Sequence, residues 1–145
     1  MIFSNYLENK VIDWLFRAQA FTPPATTYVA LFTTNQNAAG TSGVEVSGGS
    51  YARVAVTSGL TEWAGTQSTG STTASTGTSG TTSNNGTITF PAPTATWGSI
   101  TGMAQYDAST GGNLLLYGAL TTAKTVNNGD PAPDFPAAAL AITIT

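Results

Sequence analysis

The sequence predicts an all-β domain, a β-sandwich carrying one N-terminal α-helix. Three observations lead there. About seven or eight short runs of strand-forming residues are separated by Gly, Asn and Ser turn signals. Only one stretch, near the N-terminus, repeats its apolar residues at helical spacing. The strand runs follow one another directly instead of alternating with helices, which excludes a parallel α/β sheet.

The helix is predicted over residues 4–20, "SNYLENKVIDWLFRAQA". Asn5 is placed to cap it, with Glu8 three residues on, where a carboxylate reaches back to free amides. Leu7, Val11, Trp14, Leu15 and Ala18 form one apolar stripe, widened by Ile12 and Phe16. The apolar arc then spans about 200°, leaving a polar edge of Asn9, Lys10, Asp13 and Arg17. The prolines of "FTPP" are expected to end the element, because proline has no amide to donate.

Strands are expected over "TTYVALFTT" (26–34), "YARVAVT" (51–57), "GTITF" (86–90), "ITGMAQY" (100–106), "NLLLYGAL" (113–120), "AKTV" (123–126) and "LAITIT" (140–145). Residues 100–120 read as one hairpin turned by "STGG". The segment 66–83, "TQSTGSTTASTGTSGTTS", has no charge and no side chain large enough for a core. Neither half of the chain has enough strands to cover a sheet by itself. The segment is therefore expected to be a flexible loop of a single domain, 1–145, and not a tether between two.

Composition narrows the function. Of 145 residues only 8% are charged, against about 25% in an ordinary soluble domain. Lys10, Arg17, Arg53 and Lys124 are the only cations and do not cluster, so a phosphate backbone is not an expected partner. No apolar run reaches membrane-spanning length, and the N-terminus lacks the pattern of a secretory signal. With no His and no Cys, the usual acid–base group, the thiol nucleophile and the soft zinc ligands are all missing. "NNGDPAPD" (127–134) offers oxygens, but its spacing fits a turn better than a calcium loop. The expectation is a protein without catalysis, cofactor or metal. A weakly charged surface rich in Ser, Thr, Asn and Gly suits a component used in many copies.

"SNYLENKVIDWLFRAQAFTPPATTYVALFTT", "VEVSGGSYARVAV", "ITFPAPTATWGSITGMAQYDASTGGNLLLYGAL", "KTVNNGD" and "LAITI" occur in this order. In them the chain resembles a family of small tailed-bacteriophage virion proteins, whose members are labelled tail-fibre proteins or head decoration (cement) proteins. The decoration members imply a jelly-roll-like sandwich that sits on the capsid and ties shell subunits together. The resemblance implies a virion location after assembly in the host cytoplasm. Its partners would be the major capsid protein and further copies of the chain, a homo-oligomer with the dimer as default. The Ser/Thr insertion of 66–83 departs from the family pattern.

Decoration of the capsid is thus the leading expectation. A tail or fibre component is the first alternative, and a receptor- or glycan-binding module using Trp63 or Trp97 is the second. Three places are expected to meet partners. The helix offers Ile12, Trp14 and Phe16; a turn offers Glu45, Tyr51 and Arg53; and the extended "FPAPTATW" offers Trp97.

Overall fold

A computed structural model describes residues 1–144. In chain order the elements are β1 (Ile2–Phe3), α1 (Asn5–Phe16), β2 (Thr26–Thr34), β3 (Val44–Glu45), β4 (Val54–Thr57), β5 (Thr81–Ser83), β6 (Ile88–Thr89), β7 (Gly98–Tyr106), β8 (Leu114–Val126), β9 (Asp134–Phe135) and β10 (Ala141–Thr143). The fold is all-β with one helix, and every ladder is antiparallel.

One six-stranded sheet dominates, in the order β1-β8-β7-β2-β3, with β4 paired to β2 beside β3. Its centre is β2, whose successive residues face opposite sides of the sheet. Val29 and Leu31 join the larger core with Val56, Ile100, Met103 and Val126, while Ala30 and Phe32 face the other side with Ala104, Tyr106 and Leu114. Both faces are covered, so β2 reads as a continuous apolar run. The larger core is closed from above by Ile88, Phe90, Phe135 and Leu140, carried on or beside the two-stranded ladders β6–β9 and β10–β5. The second layer is therefore two short ladders and their loops, where a jelly roll would have a second broad sheet. The chain between 58 and 97 is too rich in Gly, Ser, Thr and Pro to sustain long strands.

Several expectations shift. "AKTV" and "NLLLYGAL" are one 13-residue strand, β8, which skips register against β7 between Ile100 and Gly102. The hairpin β7–β8 is as expected. Asp107 closes it by accepting from the Asn113 backbone and side-chain N–H groups, and Gly111 and Gly112 take the positive φ its turn requires. Of the segment 66–83, residues 81–83 are not loop: they form β5, paired to β10. The rest is an excursion bonded mainly to itself, in which Gln67 donates to the Ser71 and Thr73 hydroxyls and Ser79 donates to the Thr66 carbonyl, while the Asn85 side chain donates to the Ser71 carbonyl. Thr145, the last residue of the expected final strand, lies outside the described residues.

Candidate interaction surfaces

The helix differs most from expectation. Ser4, not Asn5, caps it. The Ser4 hydroxyl accepts from the Leu7 N–H and donates to the Leu114 carbonyl, which fastens the helix start to β8. The helix ends at Phe16, well before the prolines. Both the Arg17 and Gln19 N–H groups fold back onto the Asp13 carbonyl, with Ala18 left-handed at φ 54°. Only its first two turns dock: Tyr6 and Leu7 pack against Leu115, Leu116 and Ile142.

The last turn and a half is left uncovered. Ile12 is 49% exposed, Trp14 58%, Leu15 59% and Phe16 77%. Leu15 belongs to the apolar stripe with Leu7 and Val11, but nothing covers most of it. At 100° per residue, Leu15, Ile12 and Phe16 share one arc on the solvent side, whereas Trp14 continues the docked stripe of Leu7 beyond the point where anything packs on it. Asp13 and Arg17 form an ion pair beside this cluster.

Glu45, Tyr51 and Arg53 are brought together, as the sequence suggested, but they point inward. They fill the gap between β3 and β4 along one edge of β2. The Tyr51 hydroxyl accepts from the Leu31 N–H at 2.9 Å, supplying the ladder partner missing at that position, and donates to Glu45. Arg53 grips both Glu45 oxygens at 2.7–2.8 Å, donates to the Ala108 and Gly111 carbonyls, and lies 3.7 Å over the Tyr106 ring. Its side chain is only 8% exposed. Burial alone would push the Arg53 guanidinium down, but the bonds and charge of Glu45 outweigh that and its pKa rises. Burial likewise lifts the Tyr51 hydroxyl well above the ordinary phenol range, with Glu45 adding to it. These three residues are an internal clamp, with their polar groups directed at the chain itself.

Trp97 is a core residue, 5% exposed. Its Nε1–H donates to the Gly49 carbonyl, and its ring meets Tyr51 edge to face. A rim or sugar-stacking role for Trp97 is therefore corrected: its indole is enclosed. Trp63 is half-buried and packs against both neighbouring core clusters. One residue that the sequence did not flag organises the second layer. Asn84, 1% exposed, donates to the carbonyls of Gly86, Phe135 and Pro136 and accepts from the Leu140 N–H. One Asn of the pair in "TTSNNGT" carries no local sign of such a task.

Among the described residues no three His, Cys, Asp or Glu side chains gather where they could hold a metal, and no helix is long and apolar enough to cross a membrane. What stands out is an all-β body held by internal polar clamps, with one helix end offering uncovered apolar side chains. That is the build of a structural component of a larger assembly. The comparison with known families says which: the chain matches the family model described as podophage GP4 fiber I protein gp80 over residues 2–143, and it belongs to that family. It is a bacteriophage virion structural protein, part of the assembled particle. No curated protein matches the chain.

Proposed function

We propose that this chain is a tail or fibre component, and that the uncovered end of α1 is where another virion protein holds it. The fibre description of the family favours this over decoration of the head shell. The observation that carries the docking reading is the exposed arc of Ile12, Leu15 and Phe16 on one short helix end, with Trp14 uncovered on its other flank. Large apolar side chains gathered on a surface mark contact sites, whereas scattered ones do not. The role requires no catalysis, cofactor, nucleic acid or membrane.

Two measurements test it. In purified virions, quantitative gel densitometry should find the chain at a small fraction of the major shell protein. Parity with the shell protein would restore the decoration reading, with the capsid as partner. For the docking site, the double variant Trp14→Ala plus Phe16→Ala should fold with nearly unchanged stability, since both rings are mostly in water. Burying a Phe or Trp on association contributes roughly 2 kcal/mol each. Incorporation into particles should then fall by a factor of several hundred. Wild-type incorporation of a folded variant would remove α1 as the docking element.

A further inference from the structure

The main sheet leaves two strand edges unpaired, on its opposite sides, and they carry opposite charges. On one side the edge is β4. The Ser58 N–H to Ala25 carbonyl bond sets the ladder phase, so Val54 and Val56 turn their N–H and C=O groups to β2. Those of Ala55 and Thr57 point outward, and both residues are exposed. They face a groove of about 540 Å³ shared with Thr87–Thr89 and with Glu62. Among the described residues the only bond to the Glu62 carboxylate comes from the neighbouring Thr61 hydroxyl.

On the other side the edge is β8. Its ladder with β1 involves only Leu116 and Tyr117, with the Ser4 N–H bonded to Leu115. In that phase Ala119 turns its backbone groups outward with no ladder partner. Beyond Ala119 the strand bulges, residues 120–123 standing against the single β7 residue Thr101, and 118–122 with Lys124 border a second groove, of about 660 Å³. Lys124 is exposed and, among the described residues, takes part in no ion pair, although Asp134 lines the same adjoining small cavity.

We propose that copies of this chain join head to tail, the β4 edge of one pairing with the β8 edge of the next, so that the sheet continues from molecule to molecule. Unpaired strand edges are templates for added strands. Charge selects which edges meet. A two-fold β4–β4 contact brings the two Glu62 carboxylates to one seam, and a β8–β8 contact brings the two Lys124 ammoniums to one seam, each with its own Asp134 nearby. Only the mixed contact brings Glu62 to Lys124. Elsewhere the surface has few charges to hold copies apart. Such a contact is heterologous, so it builds a ring or an open filament, not a closed pair. It uses no residue of α1, so it stands or falls separately from the docking reading above.

The test is sedimentation velocity of the full chain over a wide concentration range. The wild type should form species larger than a monomer as concentration rises, less so in high salt. Glu62→Lys alone, and Lys124→Glu alone, should each raise the concentration needed by roughly tenfold or more, since each creates a like-charge contact. An equal mixture of the two variants should associate as the wild type does, and so should the double variant. Loss in each single variant together with recovery on mixing is specific to a contact between unlike edges. Thermal melts confirm that each variant is folded, and Glu62→Gln with Lys124→Gln serve if a reversal is not. A wild type that stays monomeric overturns the proposal and makes Lys124 a guard against edge pairing. Single variants that associate like the wild type, or a mixture that does not recover, overturn it as well.

Discussion

Replacing Arg53 by Ala tests whether the Glu45–Tyr51–Arg53 cluster is an internal clamp or a docking anchor. Arg53 makes two bonds to Glu45, two to loop carbonyls, and one contact with the Tyr106 ring. Breaking a buried pair from one side costs about 3–5 kcal/mol, because the other charge is left behind. The Glu45 side chain is 26% exposed, so water solvates part of it and the lower end applies. The lost ring contact adds about 0.5–1 kcal/mol. The expected loss is roughly 3–4 kcal/mol, or about 10 °C in Tm for a chain of this length. Circular dichroism melts at neutral pH, with urea midpoints beside them, measure it. Arg53→Lys should lose about half as much, because an ammonium cannot span both Glu45 oxygens and the two carbonyls. A fall of under about 3 °C for Arg53→Ala would refute the clamp, and the turn around Tyr51 would again become a candidate partner site.

Three further outcomes follow from the same geometry. The Tyr51 and Tyr106 hydroxyls have folded pKa values raised mainly by burial, so the folded state keeps their protons where the unfolded chain gives them up. Stability should be level below about pH 10 and fall above it, and Tyr51→Phe should flatten that fall in melts taken from pH 8 to 11.5. Gln105 is 3% exposed and its Nε2 has no partner, so Gln105→Met should raise stability by about 1 kcal/mol in urea titration. Because Ser79 bonds back to Thr66, replacing residues 67–78 with a short Gly-Ser turn should move Tm by only a few degrees, while a deletion that also removes β5 should cost far more.

The sequence by itself determined the class of fold and its best local elements. β2 occupies the same residues as the alternation-free run 26–34, and the β7–β8 hairpin turns at the glycines that announce it. These elements have their signals within a few residues: strand formers, a turn, a change of period. The single helix was legible for the same reason, as was the absence of thiol and imidazole chemistry. Tertiary structure decided everything that depends on distant partners. β1, β3, β5 and β9 are each two or three residues long, too short to carry a pattern, and exist because a neighbour supplies the other half of the ladder. Whether an aromatic is core or surface was equally out of reach. Trp97 and Trp14 look alike in the sequence, but one is enclosed beside Gly49 and Tyr51 while the other runs past the end of its supporting strand. A helical stripe says which side chains share a face, and only the sheet's extent says how many of them it covers.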